Sequence, residues 1–251
     1  MNDNSGETRP LALVTATRKE MQAVLGHRSH RLSLGVNRWQ QITWGPRLFI
    51  LVITGIGPVN AALSMGRLLG AGMNMAGVLN LGIAGSFQTQ SLPLGTVVGV
   101  ETEIWPEFGL YTEHGLDPQG LGLGQGRIPN GVVWDRLFLN PKEAARGLGL
   151  ELDPTWPTVT SISVAGVSGT PERADELHSR TRAEVENMEG FALAWACALN
   201  DVPFLQVRSI SNRVGSRNPG EWDMELAFSR LQRAAEQLLG TDKDLLPGKG
   251  Q

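Results

Sequence analysis

Two segments in the C-terminal third of the chain hold polar side chains that could act together on one ligand. Residues 185–190 place Glu189 at the start of an apolar helical stretch, and residues 207–213 place Asn212 at the end of a buried strand. In α/β proteins, ligands bind in the crevice outside the carboxyl ends of the parallel strands. The two segments therefore predict a carboxylate and an amide that face the same crevice.

The pairing of Met188-Glu189 with Ser211-Asn212 resembles the nucleoside phosphorylase and nucleosidase family. The resemblance spans nearly the whole chain and is sharpest in residues 15–20, 55–60, 80–85 and 186–215. It implies an α/β fold, namely a nucleoside phosphorylase-like three-layer α/β/α sandwich with a central mixed sheet. It also implies an enzyme that acts on a purine nucleoside, with Met188 and Glu189 binding the ribose.

Hydrolysis of an N-ribosidic bond develops positive charge on the ribose while the base leaves with the bonding electrons. A carboxylate in the first turn of a helix stays ionised and can accept hydrogen bonds from both ribose hydroxyls, and the resemblance assigns this role to Glu189. The attacking water needs an oriented base on the face opposite the purine, and the resemblance assigns that role to Glu20. Outside the resemblance, Glu189 is an ordinary helix-start charge and Glu20 a solvated residue.

Asn212 bears on the identity of the leaving base. Its NH₂ group can donate to O6, and its carbonyl oxygen can accept from a protonated N7. Adenine-specific relatives have Asp at this position, so Asn212 predicts a 6-oxopurine; an amide that satisfies a loop after a strand is the alternative. Together with the continuation Arg213-Val214-Gly215 and the later Trp222, this resembles the branch of the family that cleaves futalosine in menaquinone biosynthesis.

Asn80 and Ile83 bear on the nucleophile. Phosphorolytic relatives of the hexameric type have Arg and a Ser or Thr at these positions, where they bind the phosphate dianion. Neither residue type is present here, so water is the expected nucleophile. Ile83, Ala84 and Gly85 are expected to line the site. A tight βα turn would explain the glycine in this segment equally well.

Futalosine carries a carboxyphenyl ketone extension at its 5′ end, which an aromatic wall and a cation would suit. The candidates for this role are Trp222, Phe108, Arg213 and Arg217, each of which could equally be a surface or packing residue. In relatives a neighbouring subunit forms part of this pocket, so the resemblance implies a homo-oligomer. A small-molecule nucleoside is the expected substrate, and neither a cofactor nor a metal is expected.

Three alternative functions stay open. The first is a purine nucleoside phosphorylase for inosine or guanosine, which Asn80 and Ile83 disfavour. The second is a methylthioadenosine or aminofutalosine nucleosidase, which Asn212 disfavours. The third is a nucleoside-binding protein without catalytic activity, which the retained Glu20 and Glu189 disfavour.

Composition indicates a soluble enzyme. The 251 residues are 41% hydrophobic and 19% charged, which suffices for one well-packed domain over residues 1–251. The net charge is -3 and the Lys and Arg residues are scattered, so the sequence shows no basic patch that would indicate nucleic-acid binding.

The lone Cys197 excludes an internal disulfide and fits a reducing cytoplasm. The polar N-terminus lacks a signal-peptide pattern, and the apolar run 191–199 is too short to span a bilayer, so we expect a cytoplasmic protein without a membrane partner.

Apolar runs and turn residues predict alternating strands and helices. Strands are predicted at residues 11–15, 48–53, 77–81, 95–101, 158–164 and 204–207. Helices are predicted at residues 18–25, 61–69, 172–180 and 188–199, followed by a last helix whose residues Met224, Phe228, Leu231, Ala235 and Leu238 pack in the core. Glycine turns are predicted at residues 54–58 and 82–86, a loop without chemistry at 105–156, and flexible ends at 1–9 and 240–251.

Overall fold

The computed structural model of the chain describes residues 9–240. Of the two segments expected to be flexible, residues 1–8 and 241–251 lie outside this described part. Within it, the strands are β1 (Leu11–Thr15), β2 (Arg38–Trp44), β3 (Arg47–Ile53), β4 (Gly77–Ser86), β5 (Val97–Ile104), β6 (Leu110–Thr112), β7 (Gly115–Asp117), β8 (Gly126–Ile128), β9 (Gly131–Val133), β10 (Arg136–Phe138), β11 (Thr158–Ser163), β12 (Val185–Asn187) and β13 (Phe204–Arg213).

Nine of the strands in residues 9–240 form one mixed sheet. Its order is β10-β5-β11-β12-β4-β1-β3-β2, and β13 pairs with both β4 and β5. β1 runs parallel to β3 and to β4, and β13 runs parallel to β4. β2 is antiparallel to β3, and β13 is antiparallel to β5. The carboxyl ends of β1, β4 and β13 consequently meet at one edge of the sheet.

The helices are α1 (Arg18–Leu25), α2 (Pro58–Gly70), α3 (Pro141–Gly147), α4 (Pro171–Thr181), α5 (Gly190–Leu199) and α6 (Met224–Leu239), with short 3₁₀ turns at Gly26–Arg31 and Pro219–Glu221. α1 packs against α6 on one side of the sheet, and α2 packs against α5 on the other. None of the helices within residues 9–240 has the length and apolar character needed to cross a membrane.

β1 shows why the chain forms three layers. Its five residues are fully buried, and successive side chains of a strand point to opposite faces. Leu11 and Leu13 join the core beneath α1 and α6. Ala12 and Val14 join the separate core beneath α2 and α5. A strand that is apolar on both faces must have helices on both faces, which confirms the three-layer α/β/α architecture.

The structure confirms most of the predicted strands and helices and corrects the extent of several. The predicted glycine turn at residues 82–86 is wrong, because β4 continues through it to Ser86. β13 extends to Arg213 rather than ending at Val207. β2 was not predicted at all, although Ile42 and Trp44 are buried in the alternating pattern of an edge strand. In each case pairing with a neighbouring strand, rather than local composition, decides the length.

Residues 105–156 were predicted to be a loop, and this is wrong for much of the segment. It contains the hairpins β6–β7 and β8–β9, the strand β10 that extends the main sheet, and α3. The short strands are mostly exposed, so they lack the apolar periodicity that would reveal them in the sequence. The glycine-rich stretch at residues 120–126, expected to be a loop, lies outside any strand except at Gly126, the first residue of β8.

Candidate active site

A cavity of about 360 Å³ opens at the edge of the sheet where β1, β4 and β13 end. The structure brings every predicted site residue to its wall: Glu20, Ile83, Ala84, Gly85, Met188, Glu189, Asn212 and Trp222. The parallel strands explain this convergence, because their carboxyl ends deliver residues from distant parts of the sequence to one crevice.

Glu20 is held rigidly at the start of α1. Its Oε2 accepts hydrogen bonds from the backbone N–H and the hydroxyl of Thr17, both at 2.8 Å, in a capping box. Its Oε1 accepts from the backbone N–H of Ile83 at 3.1 Å, which ties the helix to β4. Glu20 is buried, so the alternative of a solvated first-turn residue is wrong.

Glu189 is the N-cap residue of α5, at the helix start where the sequence placed it. Its Oε1 accepts a hydrogen bond of 2.8 Å from the backbone N–H of Gly57, in the turn before α2. Gly57 has a φ of 91°, which favours glycine. The side chain thus leaves its own helix end and points across the cavity, so it is not an ordinary capping group.

Burial raises the pKa of Glu189 to about 7. The cation of Arg208 and the Gly57 hydrogen bond lower the pKa, and the nearby carboxylate of Glu20 raises it. A carboxylate that loses its water is destabilised unless other donors replace that water. A pKa of about 7 means that Glu189 changes its charge near neutral pH, and hydrogen-bond donors on a ligand would favour its ionised form.

Arg208 was missed by the sequence analysis. It is fully buried in the middle of β13, where an arginine is unexpected. Its Nη2 donates to Oδ1 of Asn80 at 2.6 Å. A Cβ atom on Gly82 would overlap its Nη1 and come within 2.9 Å of Glu20. Gly82 is therefore required for close packing between the guanidinium and Glu20, and not for a turn. The only signal in the sequence was an arginine inside an apolar strand.

The polar groups beneath α5 form a buried network. Nδ2 of Asn187 donates to Glu103 at 2.9 Å and to the hydroxyl of Ser161 at 2.7 Å. Its Oδ1 accepts from the backbone N–H groups of Glu189 and Gly190. Burial raises the pKa of Glu103, and hydrogen bonds and the Arg208 charge oppose that rise. Asn187 therefore fixes the start of α5 and so the position of Glu189.

Asn212 lies at a β-bulge of β13. The register against β4 shifts between Ile210 and Asn212, which leaves Ser211 unpaired. The Ser211 hydroxyl lies 2.8 Å from Oδ1 of Asn212 and 3.2 Å from the carbonyl oxygen of Ala84. Nδ2 of Asn212 is 3.0 Å from the position that a Cβ on Gly85 would take. Bulges near sites re-aim side chains, and this one lays the amide over Gly85 inside the cavity.

The residues considered for the 5′ end of the substrate are scattered. Trp222 forms a backbone bridge with Asn212, so it lies at the same end of the cavity as Asn212. Arg217 stacks over Trp222, with 5.6 Å to the ring centroid. Arg213 pairs with Glu221, 3.0 Å away, and Phe108 stacks on Trp105. Phe108, Arg213 and Arg217 do not line the cavity.

Other residues that the sequence analysis did not assign do line the cavity. Met224 and Phe228 of α6, interpreted as core residues, are partly exposed and face the cavity, so that interpretation is wrong for them. Leu231, Ala235 and Leu238 are buried, as expected. Lys19 and Ile56 also line the cavity, and a buried carboxylate, Glu186, lies at its base. Helical periodicity alone cannot separate a core-facing side chain from a cavity-facing one on the same helix face.

Among residues 9–240, no three His, Cys, Asp or Glu side chains are grouped closely enough to hold a metal ion. The chemistry of the cavity is that of two buried carboxylates, Glu20 and Glu189, on the wall formed by α1, the turn before α2 and the start of α5, with the Asn212 amide across β4 from them. This arrangement can orient a water molecule, bind vicinal hydroxyls and donate to a leaving group.

The chain matches the family described as "Phosphorylase superfamily" over residues 10–246. The chain belongs to this superfamily. It is 36% identical to a futalosine hydrolase from Thermus thermophilus over 200 residues, which cover 77% of this chain and 82% of the relative. It is 32% identical to a futalosine hydrolase from Streptomyces coelicolor over 193 residues, which cover 75% of this chain and 77% of the relative.

A solved structure supports the fold. The 5′-methylthioadenosine/S-adenosylhomocysteine nucleosidase from Helicobacter pylori aligns with a TM-score of 0.65 and 19% sequence identity, covering 92% of this chain and 96% of the other. It was crystallised with butyl-thio-DADMe-Immucillin-A. The nucleoside phosphorylase-like architecture expected from the sequence is therefore confirmed.

The coupling between the two carboxylates can be measured directly. In unliganded protein, the Glu189 side chain should titrate with a pKa of about 7. The Glu20→Gln variant should lower this pKa, because it removes a neighbouring negative charge that disfavours ionisation. Carboxyl ¹³C NMR of glutamate-labelled protein provides the measurement.

Glu151→Gln serves as the control, since Glu151 is exposed and does not line the cavity. It should leave the Glu189 titration unchanged. A Glu189 midpoint near the ordinary glutamate value in the parent protein would contradict the electrostatic description of the site.

Proposed function

We propose that the chain is a futalosine hydrolase, which splits futalosine into hypoxanthine and dehypoxanthine futalosine in menaquinone biosynthesis. The observation that carries the proposal is the convergence of Glu20, Glu189 and Asn212 on one cavity, in a chain 36% identical to a futalosine hydrolase. The enzyme is a nucleosidase that hydrolyses an N-glycosidic bond, and its substrate is a small nucleoside.

Each of the three residues has one role in the reaction. Glu20 orients the attacking water and accepts its proton as the oxygen bonds to C1′ of the ribose. Glu189 accepts hydrogen bonds from the ribose hydroxyls, assisted in position by Met188. The N-ribosidic bond breaks with its electrons moving to the purine, which takes up a proton from solvent at N7, and Asn212 stabilises the leaving base by donating to O6 and accepting from N7–H.

Water is the nucleophile because the site disfavours a phosphate dianion. Asn80 is unavailable to an anion, since its Nδ2 donates to the carbonyl oxygen of Val14 at 3.1 Å and its Oδ1 accepts from Arg208. Ile83 contributes no side-chain donor. Three carboxylates, those of Glu20, Glu186 and Glu189, line the cavity, and a dianion beside them would be repelled. The phosphorylase alternative therefore lacks its binding site.

The 5′ extension of futalosine can be accommodated by cavity residues other than those first considered. Phe228 offers an aromatic surface to the phenyl group, and Lys19 offers a cation to its carboxylate. Trp222 lies beside Asn212 and is better suited to contact the base.

The proposal includes a homo-oligomer. α2 and the turn before it expose a row of apolar side chains, Ile56, Val59 and Leu63, that are 58%, 79% and 51% exposed. Apolar patches of this kind mark interaction surfaces. Ile56 also lines the cavity, so a second copy on this face would close the cavity edge. The oligomeric state in solution tests this part of the proposal.

We also propose a cytoplasmic location. Cys197 is buried and unpaired in α5, and burial raises the pKa of its thiol. A buried, protonated thiol is inert and consistent with a reducing compartment.

A substrate panel tests the function as a whole. Futalosine should release hypoxanthine at the same rate with and without phosphate, and the second product should be a free sugar. Aminofutalosine, methylthioadenosine and inosine are the comparison substrates, with free base followed by chromatography. Obligatory phosphate dependence, with a ribose 1-phosphate type of product, would refute hydrolysis.

The role of Glu20 can be separated from that of ligand binding. Glu20→Gln should lower kcat by roughly 100- to 10,000-fold, the usual contribution of a general base, while leaving ligand affinity largely intact. Glutamine still fits a capping box, so α1 should stay folded. Glu189→Gln should instead weaken both substrate binding and turnover.

Glu143→Gln is the matched control for Glu20→Gln, because Glu143 lies at the same position in the first turn of α3, where its carboxylate accepts from the side-chain amide of the N-cap residue Asn140, and it lies outside the cavity. It should have no effect on kcat. Near-native turnover in Glu20→Gln would rule out Glu20 as the water-orienting base.

The base-reading role of Asn212 predicts a change of specificity. Asn212→Asp should lose activity on futalosine and gain relative activity on aminofutalosine, since a carboxylate facing O6 is repelled while it can accept from a 6-amino group. The ratio of kcat/KM values for the two substrates should change by an amount equivalent to about 1–3 kcal/mol. An unchanged ratio would mean that Asn212 does not read position six.

A further inference from the structure

Glu186 is a buried carboxylate in the cavity that the mechanism above does not use. It lies in β12, is only 6% exposed and contributes to the cavity wall. Its Oε1 accepts a hydrogen bond of 2.9 Å from the backbone N–H of Ser168, and its Oε2 accepts one of 2.6 Å from the Ser168 hydroxyl. Burying a charged group costs free energy. A buried carboxylate that lines a cavity is therefore more often functional than an exposed one.

The sheet register places Glu186 opposite Asn212. Gly85 of β4 pairs with Glu186 on one side and with Asn212 on the other. Neighbouring strands lie about 4.8 Å apart, so the two backbones are separated by roughly 10 Å across Gly85. Both side chains line the same cavity, and a Cβ on Gly85 between them would come within 3.0 Å of the Asn212 amide and 2.8 Å of Val214. This geometry places an amide on one side of Gly85 and a carboxylate on the other.

We propose that Glu186 accepts a hydrogen bond from N1–H of the 6-oxopurine and is a specificity-determining residue of the enzyme. The inference rests on the proposed function and deepens it. Asn212 contacts N7 and O6, and N1 is the next position around the same edge of the base. The two residues together cover that edge from opposite sides of Gly85.

The chemistry of the base makes this contact selective. In hypoxanthine N1 carries a hydrogen and donates, whereas in adenine N1 has a lone pair and accepts. An ionised carboxylate only accepts. The two hydrogen bonds from Ser168 stabilise the ionised form of Glu186, and its unused lone pairs are free for the base. Adenine would therefore place a lone pair against a carboxylate in a dry site, which a 6-oxopurine avoids.

A purely structural role is the competing explanation. The bonds from Ser168 could serve only to hold the loop between β11 and α4. Burial raises the pKa of Glu186, while the Ser168 hydrogen bonds and the charge of Arg173 lower it, and a loop anchor would show the same features. The two roles differ in one respect. A loop anchor affects all bases equally, whereas a contact to N1–H affects only bases that carry that hydrogen.

The experiment compares hypoxanthine, 1-methylhypoxanthine and adenine as ligands, by calorimetry, in the full-length protein and in Glu186→Gln. The parent protein should bind hypoxanthine about 10- to 100-fold more tightly than 1-methylhypoxanthine or adenine, the range of a hydrogen bond to a charged group. In Glu186→Gln the Ser168 N–H holds the amide oxygen, so an N–H faces the base. Hypoxanthine affinity should then fall by about 10- to 100-fold, 1-methylhypoxanthine affinity should stay the same, and adenine should gain.

Glu184→Gln is the matched control. Glu184 lies just before β12 and accepts from the backbone N–H of Thr160 outside the cavity, so its variant should leave all three affinities unchanged. Equal losses for hypoxanthine and 1-methylhypoxanthine in Glu186→Gln would overturn the inference in favour of a loop anchor. So would equal affinities for the two bases in the parent protein, a result that requires no variant to fold.

The inference and the proposed function fail in different ways. If the parent protein cleaves futalosine but does not distinguish hypoxanthine from 1-methylhypoxanthine, the role of Glu186 is wrong and the function stands. If futalosine is not cleaved under any condition, the function is wrong, and the calorimetric comparison still tests whether Glu186 reads N1–H.

Discussion

The buried guanidinium of Arg208 is the charge on which the site depends. It lies in the centre of the sheet and lowers the pKa values of Glu103 and Glu189, both of which burial raises. Carboxylates so far from water are tolerable only when a cation and hydrogen-bond donors replace the lost solvation. Without Arg208 the pKa of Glu189 would rise further, so less of this side chain would be ionised and available as a strong acceptor at neutral pH. Removing this one charge would change the whole cavity.

The hydrogen bonds that replace the lost solvation also make the site rigid. The polar groups around Arg208 are connected to one another, from Asn80 on β4 to Asn187 on β12, and the latter also fixes the start of α5. Glu20 is held by the capping box of α1 and by β4. Catalytic carboxylates that are locked before the substrate arrives need little reorganisation in the reaction. The network therefore supports the proposed hydrolysis by preorganising both carboxylates.

The site retains one group whose charge responds to a ligand. The Glu189 side chain makes no capping bond to its own helix and accepts from the N–H of Gly57, and its pKa of about 7 reflects the loss of solvation on burial. Two ribose hydroxyls would supply the missing donors. If Glu189 binds the ribose as proposed, the energy of ribose binding is linked to ionisation of Glu189, so substrate binding and the charged state of this side chain reinforce each other.

The sequence by itself determined the layers and the main site residues. Fully apolar β1 requires helices on both faces, and Glu189 and Asn212 stand at a helix start and near a strand end because those positions are local properties of the chain. The other residues of the cavity wall and the lengths of the strands were decided only by the tertiary structure. Glu186 and Phe228 gave no local signal and Arg208 gave only that of an arginine inside an apolar strand, since the surroundings of a strand or helix residue are set by what faces it in the folded chain. The lengths of β4 and β13 and the bulge at Ser211 depend likewise on pairing between distant segments, because hydrogen bonds between strands are not encoded in either strand alone.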